Sequence, residues 1–321
     1  MNVDLLGGPL ARRVVLVTGK GGVGKTTVTA ALSRVAAHAG KRVLAAEISY
    51  ESPRVDEEPA AIDLASSPLA TAFGTDPFND EPRLVEGGAG HGCVFGARLS
   101  PLAGHVQFLR DNLPVRLLAD AAMRSAAVRR FFSAAPTLAE LGIVYRLLDL
   151  VDQTRGGGAP EWDVVICDLP ATGHALALAQ VPQTLADVIR AGPIHTAAER
   201  GLALLRDAAR TTSVLVTLPE PLPVSEAIEL YEGLHKLAID CGLVLLNRVP
   251  ANPFTPEERV AADRIVVDRT RTLGARRLPR IDRADAARER LGRELHLPVR
   301  SLYEVANEIT AYVAAQLGGA P

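Results

Sequence analysis

Three cysteines in 321 residues, Cys93, Cys167 and Cys241, are too few and too far apart for a disulfide framework or a C-x-x-C metal clip. Their scarcity points to a reducing compartment. No apolar run approaches the ~18–20 residues that a membrane-spanning helix requires, and the stretch from Met1 to Arg13 has no apolar core of signal-peptide length. The expectation is a cytoplasmic protein without a transmembrane segment. Neither sign of charge dominates. The 35 basic and 37 acidic side chains are interspersed, so no basic face is advertised and no nucleic-acid partner is expected. Methionine is nearly absent, with Met123 alone after Met1, which argues against a soft client groove lined by thioethers.

Apolar residues are ample for a core, and the length suits one large α/β unit spanning 1–321 that carries an insertion. The chain is organised around Gly19-Lys20-Gly21-Gly22-Val23-Gly24-Lys25-Thr26-Thr27, which follows the apolar run Val14–Val17 and precedes an alanine-rich segment ending near His38. This reads as strand, phosphate loop and helix. The glycines let the backbone turn tightly and bring N–H groups to phosphate oxygens at a helix N-terminus, whose dipole favours an anion. All fixed positions of G-x-x-x-x-G-K-[ST] are filled. In that motif Lys25 reaches the β- and γ-phosphates and the Thr26 hydroxyl ligates Mg²⁺. ATP or ADP with Mg²⁺ is therefore the expected cofactor set.

The first βαβ unit ends with a strand at Val43–Ala46, parallel to the first through a right-handed crossover. Residues 52–92 read as loop with one short helix at Pro68–Phe73, and Cys93–Leu99 as a strand. From about 100 to 155 the pattern turns helical. One helix is expected over Arg116–Phe132. Another starts from a capping box of Thr137 and Glu140 and carries Leu138, Leu141, Val144, Leu148 and Val151 on one stripe. This all-helical insertion is either a cover buried on the nucleotide domain or a subdomain that binds a partner or client. Trp162–Asp168 returns to the sheet as a short apolar strand ending in aspartate, the Walker B pattern, with Asp168 on Mg²⁺. Strands follow at Val214–Leu218, Leu243–Val249 and His296–Val299, with helices at Val224–Ile239, from Thr255, from Asp282 and at the C-terminus behind a capping box of Ser301 and Glu304. The fold class is an α/β P-loop NTPase: a mostly parallel sheet flanked by helices, with an all-helical insertion.

The order G-K-G-G-x-G-K-T-T resembles the deviant Walker A loop of the MinD, ParA and ArsA group of ATPases. Asp168-Leu169-Pro170-Ala171-Thr172-Gly173-His174 resembles the D-T-A-P-T-G-H switch segment of the ArsA-type arsenite-pump ATPases and of their eukaryotic relative that targets tail-anchored membrane proteins. Here Leu169 replaces Thr and Pro170-Ala171 is reversed. The A-A-P-x-L-x-E-L segment at Ala134–Leu141 adds to the likeness.

The resemblance implies a nucleotide-sandwich dimer in which Lys20 crosses to the partner's phosphates. It also implies a switch of Asp168, Thr172, Gly173 and His174 that senses the γ-phosphate, and an Asn247 that recognises adenine. A carboxamide suits that task because it can donate and accept at once. The family's water-orienting aspartate falls on Ser49. A serine cannot hold the charge or take the proton at neutral pH, so intrinsic hydrolysis is expected to be low unless Glu47 or Glu51 substitutes. The cysteine and methionine patterns of the pump and targeting members are missing. Two functions stand open: a dimeric ATPase coupled to a client or membrane-protein partner, or a hydrolysis-deficient subunit that pairs with a complete paralogue. A membrane-surface regulator is disfavoured by the absence of basic residues in the last helix.

Overall fold

The computed structural model describes residues 4–50, 67–88, 92–114, 136–267, 273–305 and 309–318, with single positions between 125 and 132. Eight strands among these form one sheet. They are β1 (Val14–Thr18), β2 (Arg42–Ile48), β3 (Arg83–Gly87), β4 (Cys93–Leu99), β5 (Val164–Asp168), β6 (Thr211–Thr217), β7 (Cys241–Val249) and β8 (Val299–Tyr303), in the spatial order β3-β4-β2-β5-β1-β6-β7-β8. All neighbouring pairs are parallel except β3 with β4. The central strands are buried on both faces, which is why they read as unbroken apolar runs rather than alternating ones.

Helices cover both faces. Val15, Val17, Val43, Ala45, Val164 and Ile166 pack against α1 (Lys25–His38), α2 (Pro68–Phe73) and, through Val313 and Ala314, the C-terminal helix. The residues of opposite parity, Val14, Leu16, Leu44 and Val165, face the other layer. That layer holds α4 (Pro136–Asp152), α5 (Thr172–Val188), α6 (Pro193–Arg206), α7 (Pro221–Lys236) and α9 (Leu273–Leu295); α3 (Pro101–Asn112) lies on α4, and α8 (Pro256–Val267) on α9. The N-terminus of α8 carries a capping box that the sequence reading left unnamed. Glu258 accepts from the Thr255 backbone N–H at 2.8 Å, and the Thr255 hydroxyl accepts from the Glu258 N–H at 3.2 Å.

Within 100–155, α4 follows the expected stripe: Leu138, Leu141, Val144, Leu148 and Val151 are buried. Ile143, Leu147 and Leu150 are buried as well, so the helix is enclosed on most sides beneath the sheet. Helix α3 closes on it at Gly104, where a Cβ would overlap the carbonyl of Gly142. His105 adds a bond at 2.7 Å to the Leu138 carbonyl and stacks on Phe132 with ring centroids 4.1 Å apart. Most of the helix expected over Arg116–Phe132 lies outside the described residues.

The C-terminal region departs from expectation. The last strand is not His296–Val299 but β8, which begins at Val299 and pairs in parallel with β7, with a register shift between Leu246 and Val249. Ser301 therefore stands inside a strand and caps nothing. The helix it was expected to start is α10, described over Ile309–Gln316. The physical reason is burial: Leu302 is fully enclosed, and Gln316 of α10 bonds back to both the N–H and the C=O of Tyr303. β3 falls within the stretch 52–92, whose sequence reads as loop. It is a half-exposed edge strand with an irregular register at Leu84/Glu86, and such a strand shows no clean alternation.

Candidate functional site

β1 lies between β5 and β6 at the centre of the sheet, and at its C-terminal end the chain turns through 19–24 into α1. Gly24 holds φ +95° as the residue before the helix, and a Cβ there would lie 2.5 Å from Asn247 Nδ2, so this position requires glycine twice over. The loop's side chains converge on the end of β5. Thr26 Oγ1 donates to Asp168 Oδ2 at 2.6 Å, and Lys25 Nζ donates to the Lys20 carbonyl at 3.0 Å. Asp168 Oδ1 is buried without a partner. A hydroxyl and a carboxylate with a spare buried oxygen are hard donors that suit Mg²⁺.

The β2–β5 register sets Glu47 directly opposite Asp168, and the β2–β4 register sets Arg98 opposite Glu47. These three charged residues form a row across adjacent strands, on the face that α1 covers. Burial pushes Asp168 up to about 6; the Thr26 hydroxyl and Lys25 oppose the rise, and Glu47 adds to it. Burial also pushes Lys25 down against the pull of Asp168. It raises Glu47 as well, opposed by Ser67, Leu69 and Arg98. Glu47 is 6% exposed, and both its oxygens are engaged, one by the Ser67 hydroxyl and the other by the Leu69 N–H at 3.0 Å. It fastens the chain where it returns to begin α2.

A cavity of about 510 Å³ opens here, lined by Lys25, Thr26, Glu47, Ser49, Tyr50 and Asp168 among others. It is large enough for a phosphate chain and its metal. Ser49 sits on this wall, its N–H donating to the Leu99 carbonyl at 3.1 Å. Tyr50 leans toward His174 with ring centroids 6.0 Å apart, and burial together with Glu140 pushes its phenol up to about 12. Thr172 and Gly173 open α5, and the His174 N–H bonds to the Ala171 carbonyl at 2.9 Å.

On the other side of the loop a smaller cavity of about 260 Å³ is lined by Gly24, Thr27, Asn247, Arg248, Tyr303 and Val313, among others. Asn247 closes the continuous buried run Leu243–Asn247 of β7, after which Arg248 is exposed and Val249 buried again. Its Nδ2 donates to the Val23 carbonyl at 2.8 Å, and its Oδ1 accepts from the Arg248 N–H at 2.9 Å. It thus clamps the phosphate loop, leaving one N–H and one lone pair toward the cavity. Lys20, the second loop lysine, pairs with Glu226 of α7: Nζ to Oε1 is 2.7 Å. Sequence reasoning missed Glu226, which lies 206 residues away on a helix with nothing in its local pattern to mark it. The structure brings Gly19 to Thr27, Ser49, Asp168, His174 and Asn247 around one end of the sheet.

A glycine loop between strand and helix, a lysine and a threonine beside a strand-end aspartate, and a cavity at the carboxyl ends of parallel strands define a P-loop nucleotide-binding protein. A family model described as the CobQ/CobB/MinD/ParA nucleotide binding domain matches residues 14–291. ATPase BagA of Mycobacterium tuberculosis is 27% identical over 312 residues, covering 95% of this chain and 86% of its own length. The ATPase ASNA1 homolog of Trypanosoma cruzi is 26% identical over 291 residues, 74% of this chain and 75% of that protein. ATPase ARSA1 of Chlamydomonas reinhardtii is 24% identical over 280 residues, 74% of this chain and 35% of that protein. The chain belongs to the CobQ/CobB/MinD/ParA nucleotide-binding family, and within it to the ArsA-type P-loop ATPases. Among the described residues no helix is long and apolar enough to cross a membrane.

Proposed function

We propose that this ATPase binds ATP and ADP with Mg²⁺ and works as a dimer, homomeric or with a related ATPase, whose opening and closing drives a client protein through the 100–155 helical segment. The observation that carries the nucleotide and metal reading is the convergence of Lys25, Thr26 and Asp168, with one Asp168 oxygen left unpartnered. Thr26 and Asp168 hold Mg²⁺, which supplies charge neutralisation for the phosphates. Lys25 leaves the Lys20 carbonyl for the β- and γ-phosphates. Asn247 offers its remaining N–H and lone pair to the base, and Lys20 reaches the phosphates across the dimer. Asp168, Thr172, Gly173 and His174 act as the switch. The burial of α4 under the sheet favours a segment that moves with the nucleotide domain over one that swings free of it.

A second reading is favoured by one observation. Ser49 stands on the cavity wall where the family's aspartate is expected, and the nearby Glu47 has both oxygens occupied. Such a site binds nucleotide but turns it over slowly, as in a subunit completed by a paralogue. Steady-state hydrolysis with Mg²⁺, taken with ATP affinity and with Lys25→Ala as the blank, separates the two. Turnover above the blank supports a self-sufficient ATPase; tight binding without turnover supports the nucleotide-holding subunit; no binding overturns both. Sedimentation of the chain with a non-hydrolysable ATP analogue tests the dimer.

A further inference from the structure

Every cationic group of the phosphate loop has a protein partner in this structure. Lys25 Nζ donates to the Lys20 carbonyl, and Lys20 Nζ is held by Glu226. One residue of the loop is therefore tied twice, by its backbone oxygen and by its side chain. Each ammonium spends one of its three N–H donors on such a partner, and the Glu226 carboxylate also offsets the charge that Lys20 would offer a phosphate.

The Lys20–Glu226 pair is built for release. It is a single contact at 2.7 Å, with both side chains about one-third exposed, and the second carboxylate oxygen, Oε2, is buried with no partner. A carboxylate with one oxygen unsatisfied is held less firmly than a bidentate one. The two halves also differ in mobility. Glu226 stands on α7, whose Val224, Ala227, Leu230 and Leu234 are all fixed in the core. Lys20 stands between Gly19 and Gly21 on the loop. The carboxylate stays put, and the lysine is the part that swings.

We propose that Glu226 is a positioning residue that holds Lys20 within its own chain and competes with phosphate for it. It keeps the loop's second cation parked until a nucleotide, or a partner carrying one, draws it off. This rests on reading Lys20 as a phosphate-binding lysine. The removal of Lys25 from the Lys20 carbonyl by an incoming phosphate frees the backbone of the same residue, so filling the cavity loosens the pair.

The chain has four lysines, Lys20, Lys25, Lys41 and Lys236, which makes competitive amine labelling read by mass spectrometry a direct test. In nucleotide-free protein, Glu226→Gln should raise the labelling rate of Lys20 by about two- to fivefold, the range expected for a partly exposed ion pair. Lys236 should be unchanged. In titrations with a non-hydrolysable ATP analogue and Mg²⁺, Glu226→Gln should lower the half-saturating concentration by a similar factor, whereas Lys20→Ala and the Lys20→Ala/Glu226→Gln double variant should behave alike. Unchanged labelling, weaker binding in Glu226→Gln, or a Glu226→Gln effect that persists in the Lys20→Ala background overturns the proposal. If Lys20→Ala alone leaves affinity and assembly untouched, the phosphate reading of Lys20 fails and the competition fails with it. The labelling then still reports whether the ion pair exists in solution.

Discussion

Replacing Asp168 by Asn should stabilise the protein in the absence of metal and nucleotide while abolishing the stabilisation by Mg²⁺ and ATP that the proposed site would give. Burial raises the Asp168 carboxyl to about 6 from an unfolded-state value of 3.8. A rise of about two units, at about 1.4 kcal/mol per unit, means that the ionised carboxylate costs the folded state about 3 kcal/mol at neutral pH. The sign follows from proton binding. Between about pH 4 and 6 the folded protein binds the proton more readily than the unfolded chain, so stability rises as pH falls through that window, and the full cost is felt above it.

Asparagine keeps an oxygen to accept from the Thr26 hydroxyl and removes the charge. With an unfolding entropy of about 2 cal/mol/K per residue, 3 kcal/mol in a chain of this length corresponds to about 4 °C in Tm. The assay is a thermal melt in EDTA without nucleotide, at pH 7.5 and again at pH 5. The variant should melt higher at pH 7.5, and the gap should shrink to about half at pH 5, because the unfolded carboxyl is still ionised there, and close only toward about pH 4. Adding Mg²⁺ and ATP should then stabilise the wild type and not the variant. A variant that melts lower than wild type at pH 7.5 in EDTA would refute the account of Asp168 as a buried charge held ready for a cation.

Ser49→Asp, which restores a carboxylate on the cavity wall, should raise turnover by about tenfold or more with ATP affinity little changed; no gain counts against the placement of Ser49. Gly24→Ala forces a left-handed residue to carry a Cβ against the Asn247 amide, so fluorescent-nucleotide affinity should fall at least tenfold; retained affinity would mean that the clamp on Val23 is dispensable. Gly104→Ala drives α3 off α4 and should cost about 1–3 kcal/mol in a denaturant melt, with nucleotide affinity preserved. If affinity falls in parallel, α3 and α4 are coupled to the site, a route for which is the influence of Glu140 of α4 on Tyr50 of the cavity wall.

Much of this was legible in the chain, for identifiable reasons. The loop, β1, β2, β5 and β7 could be read because a parallel sheet buried on both faces leaves continuous apolar runs, and because the phosphate loop holds Gly19, Gly22 and Gly24 at positive φ. The α4 stripe could be read because helical spacing survives even where the opposite side is buried too. β3 and β8 could not, since an edge strand with an irregular register has little periodicity, and the alternation of Val299–Tyr303 is too short to outweigh a serine and a glutamate at capping distance. In the site, Asp168 and Asn247 stand at strand ends that motifs mark. What those residues grip, Thr26, Val23 and the Arg248 N–H, depends on tertiary approach. So does the capture of Lys20 by Glu226, which no local pattern announces.

Because Lys25, Thr26 and Lys20 each already have a protein partner, and Asn247 keeps only one N–H and one lone pair toward its cavity, nucleotide binding as proposed would be in large part an exchange of hydrogen bonds. An alanine scan of such a pocket measures two things at once. Thr26→Ala would strip Asp168 of its hydroxyl donor in the resting protein as well as removing the proposed metal ligand from the complex, so its effect on affinity would be a difference between two losses. The more informative quantity for this chain is the heat of binding. A calorimetric titration should give an enthalpy smaller than the count of phosphate contacts suggests, with much of the affinity drawn from the release of the groups the nucleotide displaces.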